Sequence, residues 1–239
     1  MATATVQRAS RKRRTQRATP LVQACVAEGI GTFGLVFAGT GAVIIDTTTN
    51  GGVTHVGIAL TFGLIIFTMI SALGHISGAH FNPAVTLAFA AVAGHFPRRY
   101  VLPYLAAQVI GALAASLLLR VLFGNVAALG ATLPRGSDGQ SLVLETVLTF
   151  FLMLVITAVA TDARAVTRAA AFAIGGIVGL EALFAGPISG ASMNPARSLA
   201  PALVSGNFSS LWLYLVGPIA GALLGAFTYR LLTERTDAP

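Results

Sequence analysis

The chain has 239 residues, 55% of them hydrophobic and only 10% charged, with a formal net charge of +7 and a mean hydropathy of +0.81. An ordinary soluble domain carries about a quarter charged residues, so the composition excludes one and points to a bilayer as solvent. The single cysteine, Cys25, excludes an internal disulfide and does not inform the compartment.

Residues 1–20 form a basic arm with Arg8, Arg11, Lys12, Arg13, Arg14 and Arg17. One short cluster of this kind reads as a disordered cytoplasmic arm, not as a nucleic-acid site. The apolar block 21–45 that follows is too long for a cleaved signal peptide, and it carries Glu28. Further apolar blocks cover 53–73, 100–122, 141–160, 169–185 and 211–232. Each approaches or exceeds the roughly 20 residues a helix needs to cross a bilayer. Six spans are therefore expected from these six blocks. The fold class expected is an all-α membrane protein.

Two interruptions break this pattern. After the second block stands SGAHFNPAVTLA, 77–88, and after the fifth stands SGASMNPARSLA, 189–200, identical at eight of twelve positions. The repeat extends further. Glu28-x-x-x-Thr32-Phe33 is answered by Glu145-x-x-x-Thr149-Phe150, and GALA at 111–114 by GALL at 221–224. Between the copies, residues 130–140 have the Gly, Pro, Ser and Asp of a loop and read as an external linker. The chain thus divides into an arm 1–20, a first repeat 21–129, the linker, a second repeat 141–232 and a cytoplasmic tail 233–239.

Three spans per repeat is an odd number, so the repeats enter the membrane from opposite faces. Inverted repeats of this kind place their site near the midplane, where broken helices meet. With the N-terminus cytoplasmic, Arg98, Arg99, Arg164, Arg168, Arg230 and Arg235 share its side and, Arg197 in the second interruption set aside, only Arg120 and Arg135 fall outside. This is a positive-inside distribution with both termini cytoplasmic. Arginine outnumbers lysine fourteen to one, which points to a GC-rich genome and a bacterial inner (plasma) membrane.

Within each interruption, Asn82 and Asn194 are suited to cap a helix, and Pro83 and Pro195 to begin one. Two re-entrant half-helices, 83–93 and 195–204, are expected. At about 1.5 Å per residue, each spans about half the hydrocarbon core. They would meet head to head, presenting unsatisfied N–H groups and partial positive charge at the centre. Extended segments 77–81 and 189–193 would then turn the carbonyls of Gly78, Ala79, His80, Gly190, Ala191 and Ser192 toward a water-filled cavity. Acceptors along a wall, two amide donors at the middle and repelled cations suit neutral hydrogen-bonding solutes.

HISGAHFNPAVT and GPISGASMNPARSLAPAL resemble the two signature segments of the aquaporin, or major intrinsic protein, family, and the resemblance covers about residues 21–232. LFAGPISGASMNPARSLAPAL is most similar to the nodulin-26-like branch. The resemblance implies an hourglass fold, a pore within each subunit and a homotetramer. It also implies a constriction of four residues outside the centre, at Phe62, Ala182, Ala191 and Arg197. Water-selective members usually carry histidine where this chain has Ala182, so a filter with two methyl side chains should pass more than water. The nodulin-26-like branch usually has tryptophan at Phe62, and the glycerol branch has aspartate at Ser198; this chain departs from both. Independently of the family, an arginine inside a membrane-buried segment is costly and by default functional.

Glu28 and Glu145 read either as a proton relay or as acceptors for the backbone N–H groups of the interrupted loops, and their symmetric placement favours the structural role. Glu181 adjoins Ala182 without a counterpart in the other repeat; it reads as a helix-interface carboxyl or as a group at the pore mouth. His75 and His80 have no Cys, Asp or Glu nearby in their segment, so no metal or cofactor is expected. The function expected is a passive channel for water and small neutral solutes such as glycerol, urea or neutral metalloid acids, excluding protons and ions. A strictly water-selective channel is the alternative. An ion-coupled transporter would need titratable groups at the midplane, and an enzyme would need a nucleophile–base set that the sequence lacks.

Overall fold

The computed structural model describes residues 19–94, 96–161 and 169–233. The arm to residue 18, His95, Arg164, Arg168 and the tail from 234 lie outside the described residues. The helices are α1 (Leu21–Thr48), α2 (Thr54–Ser77), α3 (Pro83–Ala88), α4 (Val101–Phe123), α5 (Asp138–Thr161), α6 (Ala170–Ser189), α7 (Pro195–Ser205) and α8 (Leu213–Thr233). Among the described residues, six of these, all but α3 and α7, are long and apolar enough to cross a bilayer. The two short ones follow the interruptions.

The packing repeats as the sequence does. α1 packs on α2 and α4, α5 on α6 and α8, and α2 on α6 across the two halves. The short helices cross over: α3 packs against α8 and α7 against α4. Glycine makes the close pairs possible. A Cβ on Gly111 would fall 2.1 Å from the Gly29 carbonyl oxygen, and one on Gly221 would fall 2.2 Å from that of Thr146. Backbones this close are the usual small-residue contact of membrane helices. The outer surface carries exposed Val22, Leu102, Val121, Phe172 and Leu232, whereas Glu28, Gln108, Glu145 and Arg197 are buried.

The interruptions differ from the extended backbone expected. Gly78, Ala79 and Phe81, and in the second copy Gly190, Ala191 and Met193, all have positive φ; the capping Asn82 and Asn194 are extended. The chain must reverse from a descending helix into a re-entrant one within five residues, 78–82 or 190–194, and alternating left-handed turns do this compactly. A left-handed conformation costs a non-glycine residue about 1–2 kcal/mol. The hydrogen bonds described next offset it.

α3 also departs from a regular helix. It continues into a π-helical turn, Phe89–Ala93, and ends at Gly94 with φ +66°. Residues 126–130 turn inward with left-handed Ala127, Ala128 and Leu129, and Leu129 is fully buried.

Candidate functional site: a lumen between two half-helices

Asn82 caps α3 by accepting from the Ala84 N–H at 2.9 Å, and its Nδ2 donates across to the Met193 carbonyl at 2.7 Å. Asn194 caps α7 by accepting from the Ala196 and Arg197 N–H groups, and its Nδ2 donates to the Phe81 carbonyl at 2.8 Å. Each loop therefore holds the other by a reciprocal side-chain bond. An amide NH2 has two hydrogens, so each asparagine keeps one beyond this crossing bond. Both asparagines line the same narrow cavity.

Beneath each loop sits a carboxylate. Glu28 Oε1 accepts from the Ser77 hydroxyl (2.7 Å) and the His80 N–H (2.9 Å), and Oε2 from the Phe81 N–H (2.7 Å) and Gln108 (2.8 Å). Glu145 Oε1 accepts from the Ser189 hydroxyl (2.7 Å) and the Ser192 N–H (2.9 Å), and Oε2 from the Met193 N–H (2.8 Å). Both are fully buried, and a buried carboxylate is tolerated only with such partners. Two tyrosines complete the frame. Tyr104 donates to the Ser77 carbonyl at 2.8 Å and Tyr214 to the Ser189 carbonyl at 2.6 Å. The sequence reading missed both, yet each stands seven residues before the GAL of its repeat. Gln108, also missed, bridges Glu28 to Thr86, whose hydroxyl meets the His80 ring at 3.0 Å.

The cavity has a volume of about 80 Å³. At roughly 10–15 Å³ per water centre, that holds a short file of waters. Phe62, Ala182, Ala191 and Arg197 line it together, as do Gly78, Ala79, His80 and Ser192. Gly190 does not; a Cβ there would lie 3.0 Å from Thr132. Elsewhere the wall is apolar, with Ile66, Val85, Leu152 and Ile156 among its residues.

Arg197 is buried in the first turn of α7. Its Nη1 donates to the Gly130 carbonyl at 2.8 Å, its Cζ lies 5.1 Å from the Phe62 ring centroid, and its Nε has no partner among the described residues. The inward linker thus reaches the site directly. Thr132 donates to the Ser198 hydroxyl at 2.8 Å, and Ser198 also meets Ser192. At the far end of α7, Arg120 donates to the Val204 carbonyl and Asn125 to that of Ser205, satisfying exposed C-terminal carbonyls.

Glu181 is 2% exposed and does not line the cavity; its Oε2 has no partner among the described residues. His75 is exposed and stands apart from the lumen. His80 packs against Phe89, Phe96 and Tyr104 with ring centroids 4.8–5.3 Å away.

The profile of the Major intrinsic protein family matches residues 15–229. The chain is 53% identical over 214 residues to Aquaporin NIP1-1 of rice (Oryza sativa subsp. japonica), covering 89% of this chain and 75% of that protein. It is 48% identical over 228 residues to Aquaporin NIP1-2 of Arabidopsis thaliana, covering 92% and 77%. The X-ray structure of the aquaglyceroporin from Plasmodium falciparum superposes with a TM-score of 0.79 at 25% identity, covering 90% of this chain and 98% of that one.

Proposed function

The chain belongs to the major intrinsic protein, or aquaporin, family, and from that premise we propose how its lumen divides the work of conduction. It is a multi-pass membrane channel for water and small neutral solutes, not an enzyme. The proposal concerns which residues select. Phe62, Ala182, Ala191 and Arg197 form the constriction. Phe62 supplies one apolar wall, the two alanines leave room for a solute wider than water, and Arg197 offers guanidinium N–H groups to its oxygens while repelling cations. Asn82 and Asn194 each present an amide hydrogen at the centre, with the ends of α3 and α7 adding positive potential against cations. A water accepting from both asparagines points its own hydrogens outward, which breaks a continuous proton wire. Glu28 and Glu145 hold the loops that make this possible.

The observation that carries this reading is that the four filter residues and both asparagines line one narrow cavity. The solute class proposed is glycerol, urea or a neutral metalloid acid. A homotetramer with both termini on the cytoplasmic side completes the proposal. Its orientation rests on the arginine distribution. A bacterial inner membrane rests on arginine usage alone, and the plant relatives lend it no support.

Stopped-flow light scattering of proteoliposomes exposed to glycerol, urea, boric acid or an impermeant osmolyte tests the reading. Non-saturating flux of glycerol, urea or boric acid, without an ion gradient, is the outcome expected. Water flux alone would make the protein a strictly water-selective channel.

A further inference from the structure

The Phe62 ring does not stand free in the lumen. It rests in a notch in the middle of α1, at Gly39. A Cβ built on Gly39 would lie 2.1 Å from Cε1 of that ring and 2.5 Å from both Cδ1 and Cζ. Gly39 is buried, lies within the α-helix and has no positive φ. Neither a turn nor a left-handed backbone therefore calls for glycine there. In a helix interior glycine is a poorer helix former than alanine, so local helix formation argues against it as well. What its missing side chain provides is space, and the Phe62 ring fills that space.

The same ring lines the cavity and lies against the Arg197 guanidinium, whose Cζ is 5.1 Å from the ring centroid. Resting on the filter reading given above, we infer that Gly39 is a positioning residue for selectivity: by seating the Phe62 ring in α1 it sets how far that ring protrudes into the constriction. Gly39 never touches a solute. It acts through Phe62.

The physical consequence of filling the notch is specific. Ordinary carbon contacts begin near 3.4 Å and the would-be contact is 2.1 Å, so the ring must retreat by about 1.3 Å. The clashing atoms are the outer part of a side chain, so the ring can yield while the α1 and α2 backbones stay in place. The open space beside it is the lumen, which Ala182 and Ala191 also line. Gly31, eight residues earlier on the same helix, makes a similar notch for Phe81, with Cε1 2.0 Å from the would-be Cβ. That ring is 1% exposed and belongs to the loop tied to Asn194. Phe81 also lines the cavity, but as a residue of the loop that Asn194 holds, so the Gly31 notch anchors a loop, whereas the Gly39 notch seats the ring of a helix residue beside Arg197.

The test compares glycerol and water permeability in proteoliposomes of wild type, Gly39→Ala, Phe62→Ala and Gly39→Ala/Phe62→Ala. A change of about one methylene in a fitted space discriminates by roughly 10–200-fold, so the glycerol-to-water ratio of Gly39→Ala should fall at least about tenfold. In the Phe62→Ala background, where no ring remains to be displaced, adding Gly39→Ala should leave the ratio unchanged. An equal loss of water and glycerol in Gly39→Ala, or the same fall in ratio with and without the ring, would overturn the inference. So would a wild-type ratio in Gly39→Ala; if Phe62→Ala meanwhile shifts the ratio, the filter reading survives that failure. If Phe62→Ala also keeps the wild-type ratio, the filter reading falls with it. Should Gly39→Ala not assemble, recovery of a folded channel in the double variant supports the notch. Failure of the double variant as well would assign Gly39 to helix packing alone.

Discussion

The Asn82 side chain donates to the Met193 carbonyl at 2.7 Å, and the reciprocal bond from Asn194 to Phe81 closes a two-way lock between the half-helix loops. Replacing either asparagine by alanine removes a helix cap, worth about 1 kcal/mol. It also leaves a buried carbonyl unpaired, at a further cost of about 1–3 kcal/mol. Both single variants should lower the thermal unfolding midpoint of the purified channel. Because the two bonds serve one junction, the double variant should cost less than the sum, by at least about 0.5 kcal/mol. Strict additivity would mean that the loops are held independently.

Glu145 is fully buried and meets three donors, the Ser189 hydroxyl and the Ser192 and Met193 N–H groups. In Glu145→Gln one oxygen becomes an NH2 that cannot accept. With the amide oxygen kept on Ser189 and Ser192, the Met193 N–H faces a donor. A loss of roughly 1–3 kcal/mol in stability follows. Glu28→Gln should behave alike, because Phe81 and Gln108 both donate to Glu28 Oε2. Chemical denaturation in detergent checks both; a variant as stable as wild type would remove the carboxylate from the account of the loop.

Gly130 places a carbonyl on Arg197 from a left-handed conformation, φ +70°, with a would-be Cβ only 2.8 Å from the Thr40 Cβ. Gly130→Ala adds both backbone strain, about 1–2 kcal/mol, and a clash. Its carbonyl should shift away from Arg197, whose Nε already lacks a partner. Lower stability together with an altered glycerol-to-water ratio is expected, read by thermal unfolding and light scattering on one preparation. Lower stability with an unaltered ratio would separate the linker from selection.

What could be read in the sequence and what could not divide along physical lines. The spans were legible because a bilayer demands long apolar runs, and the inversion because each repeat holds an odd number of them. Asn82-Pro83 and Asn194-Pro195 marked where the half-helices begin, since capping chemistry is local. The left-handed backbone at Ala79, Phe81, Ala191 and Met193 was not legible, because none is glycine and the bonds that offset the strain come from Glu28 and Glu145, 44–53 residues away along the chain. The inward fold of residues 126–132 was hidden for a similar reason. Leu129 is apolar, but only its seat in the structure shows that it pulls the linker inward. Gly39 looked like any glycine in a membrane helix until the Phe62 ring was found against it.

The central claim is that two methyl side chains, at Ala182 and Ala191, keep the constriction beside Arg197 wide enough for a solute larger than water. Paired measurement of glycerol and water permeability in wild type and Ala182→His tests it most directly. An imidazole at that position should narrow the gap, so glycerol flux should fall at least about tenfold more than water flux. Equal losses of both, or no loss of either, would show that Ala182 does not border the path that solutes take.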